Sequence, residues 1–171
     1  MAEAVAQLQK GLALLSGVSD NPARNEKELN LQIGLGHALV ATKGLAAHEP
    51  AQAFARARQL CELLNRPEQL GRVLYGQYLS RLSRGEIYQA AHHAGEMRHL
   101  GEASNDGMWK YFGFRVSGSV CFYLGKFIEA RRYNENALCS WNPMFRGFVA
   151  PPPDPHVGTL IHLSLTLACL D

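Results

Sequence analysis

Seven histidines, four cysteines and scattered carboxylates are the side chains here that can hold a metal or act as nucleophile or base. Their spacing decides what they do. His92, His93 and His99 form the densest group. On a helix His92 and His99 stand two turns apart while His93 points about a quarter turn away, so they do not make the i, i+4 pair that holds zinc. They read as surface residues. His48-Glu49 opens HEPAQ, which lacks the second histidine of a metalloprotease helix and stands where Pro50 marks a helix start.

Cys61, Cys121, Cys139 and Cys169 lie far apart without a CxxC pair, each inside an apolar helical pattern. This favours buried thiols in a reducing compartment over a disulfide framework or a zinc site. A cysteine nucleophile needs an electropositive, exposed setting, whereas Cys61 and Cys121 fall on apolar faces. The chain has no GxxxxGKS or GxxxxGKT loop, no GxGxxG after a strand and no GxSxG elbow. LQIGLGHAL places its GLG in mid-helix, where the glycines read as permitting close helix packing. The expectation is a chain with no catalytic residue, no metal and no cofactor.

The elements that carry these residues are helices. Val5, Leu8, Leu12 and Leu15 recur at spacings of three and four, the mark of an amphipathic helix over 2–16. Asn21 and Pro22 cap and open a second that runs to Lys43, with Gly44 as its stop. Pro50 opens a third, ending near Asn65, and Pro67 opens a fourth closed by Gly85. A fifth begins at Glu86 with Ile87, Ala90, Ala94 and Met97 inward. After the turn cluster Ser104, Asn105 and Asp106, a sixth carries Trp109, Phe112, Val116, Val120 and Leu124 to Gly125. The seventh runs from Lys126 to about Trp141, the segment 142–155 interrupts with three successive prolines, and an eighth starts at His156. No stretch makes a convincing strand.

With 171 residues and a hydrophobic fraction of 47% the chain can bury a sizeable core. Lys+Arg 17 against Asp+Glu 15 gives +2, with basic residues scattered rather than massed, which argues against a nucleic-acid surface. The polar residues Glu3, Gln7, Gln9 and Lys10 exclude a signal peptide at the start, and no apolar run approaches membrane-spanning length. A cytoplasmic protein is expected.

Self-similarity is the strongest signal. The glycines ending the second, fourth and sixth helices stand at 44, 85 and 125, steps of 41 and 40, and each is followed by a small residue at a matching place, Ala53, Ala90 and Ala130. A fixed period of one helix pair marks an α-solenoid: an all-α, right-handed stack of antiparallel pairs, about eight helices in one domain over 1–171. Two such helices cross tightly only where side chains are small, and the turn needs a residue that accepts positive φ. Gly118, Ala130 and Ala137 meet the first need and Gly125 the second.

The run GSVCFYLGKFIEARRYNENAL resembles one tetratricopeptide repeat, with Gly118 at the small position of the first helix, Gly125 at the turn, Phe127 and Ala130 after it, and Ala137 on the second helix. YLSRLSRGEIYQAAHHAGEM is a weaker copy that keeps Gly85, Ile87 and Ala90 but places Tyr78 where the glycine would be and Met97 where the last alanine would be. Leu29 to Leu64 is weaker still, with an insertion after Gly44, and the period exceeds the usual repeat, which leaves a HEAT-like solenoid open. LNLQIGLGHALVATKGLAAHEPAQAFARARQLCELL and PDPHVGTLIHLSLTLACLD resemble the repeat region of bacterial multidomain signalling proteins. In those an AAA-type ATPase domain, often with a class III adenylate/guanylate cyclase or DNA-binding domain, precedes the repeats. The resemblance implies a fragment of a longer, regulatory protein and assigns no catalytic residue here.

In such repeats the first helix of each pair lines the inner groove. Counting from the turn glycines puts Arg72, Tyr75 and Leu79 on one helix, Phe112, Arg115, Ser119 and Phe122 on the next, and His162 on the last. Arginine beside aromatics suits a peptide carboxylate or an acidic, partly apolar segment of a protein partner or neighbouring domain. The alternative is that these aromatics are core contacts of the longer repeat. A structural oligomerisation scaffold, its groove filled by the flanking MFRGFVAPPPDP, is the competing function. The last helix is apolar around much of its circumference and has no partner helix after it, which predicts a homodimer through this end or exposure of Ile161, Leu165 and Leu167.

Overall fold

The computed structural model describes residues 1–104, 106–147 and 154–171. Asn105 of the expected turn cluster and the prolines Pro151, Pro152 and Pro153 lie outside the described residues. Among the described residues the chain is all-helical, with eight α-helices, one 3-10 turn and no strand. Two compact units form, Met1–Gly85 and Glu86–Asp171. No helix among the described residues is long and apolar enough to cross a membrane.

The first unit holds α1 (Ala2–Ser16), α2 (Pro22–Lys43), α3 (His48–Leu64) and α4 (Pro67–Ser83), each packed on its neighbour in the chain. Asn21 Oδ1 accepts from the Arg24 amide at 2.9 Å, satisfying one of the orphan donors of the α2 start. Helix α3 begins at His48, two residues before Pro50, because the first turn has amides without intrahelical acceptors and tolerates a proline there. Asn65 ends it in the left-handed region at φ 52.

Phe54 of α3 is the centre of this unit. It is buried with Leu29, Ala57, Leu60, Cys61 and Val73, and its ring sits between two glycines. A Cβ on Gly36 of α2 would stand 2.7 Å from the ring, and one on Gly76 of α4 would stand 2.6 Å from it. Gly36 is the second glycine of GLG, whose first, Gly34, faces Leu8 of α1, so both glycines let neighbouring helices approach. Beside this core, Arg24 and Arg56 hold the buried Glu28 at 2.8 and 2.6 Å. The hydrogen bond from Arg56, against the opposing effect of burial, keeps its carboxyl below the usual carboxylate range.

The second unit holds α5 (Ile87–Ser104), α6 (Gly107–Tyr123), α7 (Phe127–Cys139), a 3-10 turn (Pro143–Phe145) and α8 (Pro155–Ala168). Helix α6 is its axis and touches α5, α7 and α8. Trp109, Tyr111, Phe112 and Val116 are almost wholly buried on it. On one side α5 and α6 meet backbone to backbone: a Cβ on Gly101 would lie 2.4 Å from the Lys110 amide nitrogen, and one on Gly113 2.6 Å from Arg98 Cα. On the other side Gly118 lies against the Asn134 amide of α7, 2.6 Å from where its Cβ would be, flanked by the fully buried Ala130 and Ala137. That is the close crossing the small residues predict. The turn glycines Gly44, Gly85 and Gly125 all take positive φ, at 88, 74 and 70, which L side chains avoid.

Candidate functional site

Five of the eight proposed groove residues stand on α6 and α8. Phe112 is fully buried, and Ser119, 2% exposed, donates to the Arg115 carbonyl at 3.3 Å. Both are therefore core residues of this unit. Arg115 is 8% exposed. Its Nε donates to the Pro155 carbonyl at 3.1 Å, and its Nη2 lies 2.7 Å from where a Cβ on Gly158 would be. The guanidinium thus holds the start of α8 against α6, a use the sequence reading missed.

A second polar link joins the same two helices. Thr159 Oγ1 donates to the Pro155 carbonyl at 3.0 Å. Its single proton is therefore committed, and the Tyr111 hydroxyl, 2.9 Å away, must donate to Thr159. His162 follows one turn on. Its Nδ1 lies 2.9 Å from the Gly158 carbonyl; a carbonyl only accepts, so Nδ1 carries the proton. The ring meets Phe122 and Tyr123 edge-on at 6.2 and 6.1 Å. Burial, against the opposing hydrogen bond to Gly158 and with a smaller contribution from Arg115, holds its pKa below the ordinary histidine value. Arg115, Phe122 and His162 are brought together, as the joint between two helices.

The other side of α8 is the unusual surface. The helix turns Pro155, Gly158, Thr159, His162 and Thr166 inward, with both threonines at 0% exposure. Thr166 meets its own polar requirement by donating to the His162 carbonyl. Toward solvent it presents Val157, Leu160, Ile161, Leu165 and Leu167, with Ile161 50% and Leu165 47% exposed. The ordinary arrangement buries the leucines and exposes the threonines; α8 does the reverse. Ile161, Leu165 and Leu167 are exposed as predicted from the apolar circumference of this helix.

The remaining three groove residues stand on α4 of the first unit. Arg72 is exposed, Leu79 half-buried and Tyr75 8% exposed, its ring beside Tyr78 at 6.1 Å. Tyr78, read as replacing the glycine of the repeat, is buried; the close approach that such a glycine supplies is made two residues earlier by Gly76. Near Arg72, His37 rests its ring edge-on against Phe54 at 5.5 Å. Crowding by surrounding atoms and then the Arg72 charge lower its pKa, although part of the side chain meets solvent.

Among the described residues no three His, Cys, Asp or Glu side chains converge as a metal site would require. His92 and His99 are exposed on α5, while His93 is half-buried with Nδ1 3.1 Å from Glu96. Of the four thiols Cys61 is buried, and burial pushes its pKa up to about 11. Cys121 is half-buried and also raised by burial. Cys139 and Cys169 are exposed, which corrects the expectation of four buried thiols: each sits near its helix end, where the apolar pattern runs past the packed face. The chain matches no family model, no curated protein and no solved structure.

Proposed function

We propose that this chain is a non-catalytic protein-interaction and regulatory module, a right-handed solenoid of antiparallel helix pairs of tetratricopeptide type. It belongs in a cytoplasmic bacterial signalling protein with an AAA-type ATPase or class III cyclase domain elsewhere in the chain, and it binds a protein segment or neighbouring domain. The regular turn glycines Gly44, Gly85 and Gly125, all at positive φ, support the repeat; the resemblance of its segments to signalling-protein repeats supports the setting. The observation that carries an interaction role is the inverted burial of α8, threonines inside and leucines outside. A soluble chain keeps such an apolar face where another surface covers it.

The test is site-specific photocrosslinking in the native host, with the photoreactive residue at Ile161 and, as control, at the exposed His99. One defined protein adduct, identified by mass spectrometry, is expected at 161 and none at 99. No adduct at 161 would overturn the reading. The oligomerisation scaffold filled by its own flanking segment keeps one favourable observation: Phe145 of MFRG packs on Tyr111 and Trp141 at ring distances of 5.8 and 5.9 Å.

A further inference from the structure

In the first unit two basic side chains from different helices meet beside Phe54. Gly36 and Gly76 put no side chain against its ring, and α2 and α4 touch directly there. His37 follows Gly36 in the chain and sets its ring edge-on to Phe54 at 5.5 Å. Arg72 stands one turn before Gly76 and therefore on the same face of α4. The two glycines thus bring His37 and Arg72 to one place, where the Arg72 charge acts on the His37 ring. We infer that His37 and Arg72 form a binding site for a single oxyanion, a carboxylate or a phosphate group. The site lies wholly in the first unit and is independent of the α8 face.

Elsewhere in this unit the chain supplies its own anion where basic residues meet. Glu28 lies between Arg24 and Arg56, and Glu49 pairs with Lys43 under the influence of His48. His37 is given none. Of the charged groups on α2 itself and on α1, α3 and α4, which pack around it, Arg72 alone acts on His37. The ring nitrogens of His37 make no hydrogen bond among the described residues, and the side chain reaches solvent. An imidazole presents an N–H to such a ligand, and a guanidinium presents a planar fork of donors that matches two oxygens of a carboxylate or phosphate.

Charge sets the direction and the strength of binding. Without an anion, crowding and then Arg72 hold the His37 pKa below the ordinary histidine value. An anion held between the two offsets the Arg72 charge and gains a charge-assisted hydrogen bond once the imidazole is protonated. Binding therefore raises the His37 pKa, and by linkage the site binds more tightly as pH falls through that raised value. One arginine and one histidine at a partly exposed place hold a free ion weakly, with a Kd on the order of 1 to 10 mM. Such a site suits one acidic group of a larger ligand; a nucleic acid needs more phosphate contacts than two basic side chains provide.

Nuclear magnetic resonance of the histidine rings of the whole chain tests this, with sodium phosphate and, separately, sodium acetate added at constant ionic strength to about 50 mM, well above that Kd. At least one anion is expected to move the His37 signals saturably and to raise the His37 pKa by about 0.3 or more at saturation. Arg72→Gln is expected to abolish the saturable movement and, with no anion present, to raise the His37 pKa by removing the neighbouring charge. Arg131→Gln, at an exposed position in the second unit, is expected to change neither. Arg72 is itself exposed, and unchanged circular dichroism and melting show that its variant folds. Saturation by acetate assigns the site to a carboxylate of a protein segment, and saturation by phosphate alone assigns it to a phosphorylated ligand. No saturable movement with either anion, or movement that survives Arg72→Gln, overturns the proposal and leaves the crosslinking test at position 161 unaffected.

Discussion

Helix α5 contains two glycines whose replacement by alanine should act in opposite directions. Neither position has positive φ, so alanine fits the helical backbone at both. At Gly95 an added Cβ meets nothing within 4 Å, and the helix gains alanine's better propensity, about 0.5 to 1 kcal/mol. At Gly101 the same Cβ would stand 2.4 Å from the Lys110 nitrogen and 2.6 Å from both Lys110 Cα and the Trp109 carbonyl carbon. Ordinary contact is about 3.5 to 4.0 Å, so α5 and α6 must part by about 1 Å. The obstacle is backbone, which cannot rotate aside. A gap of that size forfeits about a quarter to a half of the dispersion energy of the contacts it opens, here those of Met97, Gly113 and Trp109. Overpacking of this kind costs roughly 1 to 3 kcal/mol. Because both variants gain the same propensity, the difference between them isolates that cost. Both tryptophans, Trp109 and Trp141, lie in the second unit, so tryptophan fluorescence in a urea titration follows this unit. With a slope of about 2 kcal/mol per M, the two midpoints should differ by about 0.5 to 1.5 M at unchanged slope, Gly95→Ala above the parent and Gly101→Ala below Gly95→Ala. Equal stabilisation by both substitutions would refute the close crossing.

Ala130 is fully buried at the α6–α7 crossing, so Ala130→Leu should cost roughly 1 to 3 kcal/mol; an unchanged melting temperature would count against that packing. His162 is held neutral by burial, so its pKa lies below the value of about 6.5 in the unfolded chain. Its contribution is complete above that value and is lost as pH falls toward the folded-state pKa, because the unfolded chain takes up the proton first. Stability of the second unit should therefore decline as pH drops below about 6.5, and His162→Gln should flatten that decline. An unchanged slope in the variant would show that another group titrates there.

Helix ends were legible because they depend on local chemistry. Asn21 with Pro22, Pro67, and the glycines at 44, 85 and 125 act through backbone geometry within a turn of themselves, and the structure places helix boundaries beside them. The crossing at Gly118, Ala130 and Ala137 was legible because two helices approach closely only where side chains are small. Gly101 and Gly113 went unread, although a glycine inside a helix, away from any turn, weakens it unless another backbone comes close. Gly76 was missed for a related reason: counting back from the turn selects Tyr78, but its partner is Phe54 of the preceding helix.

The sequence by itself determined the eight helices found among the described residues and the apolar composition of α8, since each follows from periodicity and local conformational preference. Only the tertiary structure decided which side of each helix is inside. In α8 periodicity puts Thr159, His162 and Thr166 on one face and would turn that face to solvent and the leucines inward. The choice was made by Arg115 and Tyr111, whose buried polar groups require the Pro155 carbonyl and the Thr159 hydroxyl as partners. Turning that side inward gives both buried groups their partners. The threonine side therefore turned inward, Arg115 became part of a helix joint, and the leucines became the surface on which the proposed function rests.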